Sequence, residues 1–89
     1  MRHQYLEVTY RKGKPLAAYL YLPRKPGARA TRTVDGGRGL RVDYDEQGTP
    51  IGIEITAPTA VTVAAMNALL SKIGASELAA EDLAPLQAA

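Results

Sequence analysis

The chain has 89 residues and a net charge of +2; with no Phe, Trp or Cys, its five aromatic residues are all Tyr. That length suits one core, and the missing cysteines exclude disulfides and thiolate metal sites. Charge is unevenly spread, because ten of the eleven Lys/Arg lie in residues 1–41 beside two acids, while seven of the nine acids lie in residues 42–89. Such a division favours pairing between the halves, within one chain or between two copies, over a nucleic-acid surface. No apolar run approaches the ~20 residues of a membrane span, and the start Met-Arg-His-Gln-Tyr lacks a signal-like apolar stretch. A single cytoplasmic domain with no membrane contact is expected over residues 1–89.

Apolar and polar residues alternate through the first 56 positions, which is the period of half-buried strands. Leu6, Val8 and Tyr10 alternate with Glu7, Thr9 and Arg11 before a turn at Lys12-Gly13-Lys14-Pro15. In the second strand Leu16, Ala18, Leu20 and Leu22 share one face, and Ala17, Tyr19 and Tyr21 the other. A loop at Pro23 to Gly27 leads to a weaker strand, Ala28 to Val34, ended by a turn at Asp35-Gly36-Gly37. Leu40, Val42 and Tyr44 point inward on the fourth strand, and Ile51, Ile53 and Ile55 on the fifth. Because sequence neighbours usually pair in space, these five strands predict an antiparallel β-meander over about residues 4–56, with the fifth strand at an open edge. A four-residue loop of Asp45 to Gly48, with Gly48 left-handed, would set Tyr44 opposite Thr49 and Val42 opposite Ile51. A three-residue loop would turn the isoleucines to the wrong side.

Beyond Pro58 the period becomes helical, which makes the fold class α+β. Thr62 is the expected N-cap, with Val61 and Met66 as a hydrophobic staple. Val63, Met66, Leu69, Leu70 and Ile73 share one face, and Gly74 is the expected stop. A short second helix is expected between Ser76 and Pro85, so the helical tail covers about residues 62–84.

The strand Tyr19 to Leu22, the Arg32-Thr33 pair, Val42-Asp43-Tyr44-Asp45-Glu46-Gln47-Gly48 and Gly52-Ile53-Glu54-Ile55 together resemble domain-of-unknown-function family 2283 of small bacterial proteins, over roughly residues 16–56. The resemblance implies a fold and no activity, substrate or catalytic residue. Members are often encoded beside small toxin-like proteins, which implies an antitoxin-like or partner-binding role. The basic segment before Tyr10 departs from the acidic opening usual in such proteins.

Chemistry-bearing patterns are few. Asp43, Asp45, Gly48 and Glu54 have the spacing of a calcium loop, but strand alternation on both sides replaces the flanking helices that such a loop needs. His3 is the sole imidazole, and no partner for nucleophilic or acid–base work accompanies it or Ser71 and Ser76. Glu81 and Asp82 solvate a helix. No catalytic, metal or cofactor site is therefore expected, and the chain is read as non-enzymatic. The candidate interface is the sheet face opposite the core, where Tyr19 and Tyr21 would lie beside Arg29, Thr31 and Thr33 of the next strand. Such a face suits a homodimer or a protein partner; the alternative is weak binding of single-stranded nucleic acid by ring stacking.

Overall fold

A computed structural model describes residues 4–87. Five antiparallel strands, β1 (Tyr5–Arg11), β2 (Lys14–Tyr21), β3 (Arg32–Gly37), β4 (Leu40–Tyr44) and β5 (Pro50–Ile55), precede helix α1 (Val63–Lys72) and a short helix α2 (Ala84–Gln87). The five-stranded antiparallel sheet with a helix and a short second helix thus agrees with the α+β reading. No helix among the described residues is long and apolar enough to cross a membrane.

Strand order is not that of a meander. It runs β1-β2-β5-β4-β3, so β5 lies at the centre and the open edges are β1 and β3. Strands β2 to β5 form a Greek key whose long connection, residues 22–31, passes the ends of β5 and β4. The physical reason is burial: Ile53 and Ile55 are at most 1% exposed, which a sheet edge could not provide but a centre strand between β2 and β4 does. The third strand also starts later than expected, leaving Arg29 and Thr31 in the connection, and runs through Asp35-Gly36-Gly37 to a tight turn at Arg38-Gly39. At Gly36 a Cβ would stand 3.0 Å from a Leu69 methyl, so the bare backbone lets α1 approach.

The β4–β5 hairpin corrects the expected register. Its loop closes on Asp45 and Thr49, with the Asp45 amide donating to the Thr49 carbonyl at 2.9 Å, and Gly48 has φ +80° as anticipated. That leaves three residues in the loop. The phase error this would cause is cancelled by a bulge: Tyr44 pairs with Pro50 but Asp43 with Gly52, leaving Ile51 as the extra residue. Val42 therefore faces Ile53 rather than Ile51, and the isoleucines Ile53 and Ile55 stay on the core side. A second bulge, between Thr9 and Tyr10, skips Leu16 and leaves Tyr10 and Leu16 each 52% exposed, against the inward position expected of Leu16.

Helix α1 follows its sequence signals. Thr62 Oγ1 accepts from the Ala65 amide at 3.0 Å, Val61 and Met66 are buried, and Gly74 ends the helix at φ +79°. The second helical segment begins later and extends further than expected, as a 3-10 turn (Ala80–Leu83) running into α2. Pro85 sits inside it because a first-turn proline forfeits no helical hydrogen bond. Asn67 fastens this tail, donating to the Leu78 carbonyl at 2.9 Å and accepting from its amide at 2.7 Å. Leu83 and Leu86, both fully buried, then join Met66 and Leu70 beneath one face of the sheet.

Candidate interaction face

With α1 and the tail packed on one face, the other face of the sheet carries no helix among the described residues. Pairing places its side chains in cross-strand rows. Tyr5, Tyr21, Gly52, Asp43 and Thr33 make one row, and Glu7, Tyr19, Glu54, Arg41 and Asp35 the next.

Gly52 shapes this surface. The Tyr19 ring lies flat across it, where a Cβ would collide with the ring at Oη and Cζ, and so reaches β4 two strands away. Its hydroxyl donates to Asp43 Oδ2 at 2.7 Å, while Thr33 Oγ1 donates to Asp43 Oδ1 at 2.6 Å. Both oxygens of an aspartate only 8% exposed are thereby satisfied, as burial demands. Burial first, then the hydrogen bond to Asp43 and its charge, push the Tyr19 hydroxyl well above the ordinary tyrosine range; Arg24 pulls weakly the other way.

Arg24 caps the bulge. Its guanidinium donates to the Ile51 carbonyl, which also accepts from the Leu22 amide at 3.1 Å, and lies 5.4 Å from the centre of the Tyr21 ring. Tyr21 stacks on Tyr5 at 4.5 Å with planes 13° apart and meets Tyr19 edge-on at 4.7 Å. The Tyr21 hydroxyl donates to Glu7 at 3.1 Å, a bond that raises its pKa. Tyr5 remains half exposed.

The five residues singled out from sequence are thus divided. Tyr19 and Thr33 meet through Asp43, and Tyr21 lies beside Tyr19. Arg29 and Thr31 do not adjoin the tyrosines, because β5 and β4 intervene. Arg29 instead shares a depression with Lys25, Asp45 and Glu46, where the basic and acidic halves of the chain come together. Sequence reasoning missed Asp43, Gly52, Tyr5 and Arg24. Only the outward alternation of Asp43 and Gly52 hinted at their face. Asp45 accepts from the amides of Gln47 and Thr49, both at 2.9 Å, as a turn residue does. His3 lies outside the described residues.

These features define a small α+β protein with one helix-covered face and one open face of tyrosines and carboxylates. Residues 17–57, from within β2 to just past β5, match the family model described as protein of unknown function (DUF2283). Neither the curated proteins nor the solved structures contain a match.

Proposed function

We propose that this protein is a non-enzymatic interaction module, homodimeric, which presents its open sheet face to a protein partner in a regulatory or antitoxin-like role. The observation that supports it is half-exposed Tyr5 stacked on partly buried Tyr21, on a sheet face that no described helix covers. Rings with a hydroxyl at the rim are favoured where an apolar surface is covered on binding. Single-stranded nucleic acid is the weaker reading, because Glu7 and Glu54 flank the rings in the neighbouring row and would repel phosphates. Tyr5→Glu combined with Tyr21→Glu tests the face. Partner proteins recovered by the wild type should be lost, with the circular dichroism spectrum and melting curve retained. Equal recovery by the double variant would remove the tyrosine face from the proposal. For the homodimer, sedimentation at micromolar concentration should exceed the 9.5 kDa of one chain.

A further inference from the structure

Helix α1 meets β3 through Leu69 at Gly36 but leaves space beside Val34. Between them lies a groove of about 420 Å³, lined by Val34, Val42 and Tyr44 from the strands and Leu69 and Ile73 from the helix side, with Asp35 and Lys72 also in its wall. Val34 is 40% exposed there, on a strand with one unpaired edge. A groove with an apolar floor beside a free edge is a template for another strand.

We infer that β3 pairs antiparallel with β3 of a second copy, symmetrically about Val34, to give a continuous ten-stranded sheet; the inference rests on the self-association proposed above. The β3 sequence is what selects a twin. Side chains directly opposite in an antiparallel pair share a face, so a symmetric register must be centred on a residue. Centring on Asp35 sets two carboxylates against each other, and centring on Thr33 sets the charged Arg32 against the exposed Val34. Centring on Val34 sets Val34 against its twin and Thr33 opposite the partner's Asp35, the regular stretch ending at Asp35 because β4 skips Gly36. No like charges face each other.

The other edge is a poorer match. Beside β1 the depression is lined by Glu7, Thr9, Tyr19 and Glu54 rather than by apolar helix side chains. At β3 the two-fold axis stands normal to the sheet. Both α1 helices then flank the junction on one face, and the two grooves merge into a trough in which Val34, exposed in the single chain, is covered by its twin.

Cross-linking tests the register. The chain has no cysteine, and opposed residues in an antiparallel pair have Cα separations of about 4.5–5.5 Å, within disulfide range. Val34→Cys should therefore oxidise to a covalent dimer. Asp35→Cys, equally near the edge but facing the partner's Thr33, should remain monomeric on denaturing gels. A second variant, Val34→Asp, should raise the dimer dissociation constant about tenfold or more while leaving the circular dichroism spectrum unchanged. If the wild type sediments as a dimer but Val34→Cys fails to cross-link, or Val34→Asp associates as tightly as the wild type, the β3 interface is overturned while self-association stands. A wild type that stays monomeric overturns both.

Discussion

Gly52 acts through space rather than through backbone freedom, because what it supplies is room for the Tyr19 ring. Gly52→Ala should lift that ring, break its bond to Asp43 and cost about 2 kcal/mol in chemical denaturation, in the range of other overpacking changes. An alanine variant as stable as the wild type would mean that the ring does not lie there. Tyr19→Phe isolates the hydroxyl, and its signature is in pH. In the unfolded chain Tyr19 loses its proton near pH ~10. Folded, it holds the proton to higher pH, chiefly through burial and then through Asp43. Above pH ~10 the unfolded state therefore binds fewer protons than the folded one, and stability falls as pH rises. Below that value the contribution is fully present. Tyr21, raised mainly by its bond to Glu7, acts in the same direction from a more exposed position. The denaturant midpoint, followed from pH 8 to 11, should fall less steeply in Tyr19→Phe than in the wild type.

At the scale of elements, alternation reports which side of a strand is buried and is silent about its neighbour. Hence Leu20, Val42, Ile53, Met66 and Leu70 were legible as core, whereas the place of β5 between β2 and β4 was not. The β4–β5 register shows the same limit. A three-residue loop plus a one-residue bulge moves the pairing by two from the simple four-residue loop, and a shift of two leaves every side chain on its original face. No face pattern can detect it. The Tyr19, Gly52, Asp43 and Thr33 grouping depends on that strand order, so only its membership of the open face could be read. The turn itself was readable, since Gly48 lies at φ +80° with nothing within 4 Å of the place a Cβ would take. Gly48→Val should thus cost at least ~1 kcal/mol from backbone strain alone, and Gly48→Asn distinctly less, because Asn enters the left-handed region more easily. Equal stabilities for the two variants would contradict this account.

For the molecule as a whole, the segment that matches the DUF2283 model and the folding unit are different lengths of chain. Residues 17–57 supply four of the five strands, but Val61, Met66, Leu69, Leu70, Leu83 and Leu86, all buried against them, come from outside. A peptide of residues 17–57 should accordingly be unfolded, with no cooperative thermal transition, while residues 4–87 melt as one unit. A cooperative melt of the shorter peptide would show that the tail is an accessory. The central position of β5 also orders events in time. Hairpins β3–β4 and β4–β5 close over short loops, whereas β2 meets β5 only across about thirty intervening positions, at greater entropic cost. During synthesis β1 and β2 emerge first and can pair, yet the inner edge of β2 has no partner until β5 has left the ribosome. For that interval Leu20 and Leu22, later among the most deeply buried residues, lie beside an unfilled strand position, and the nascent chain is then most open to capture by a chaperone or by another unfinished copy of itself.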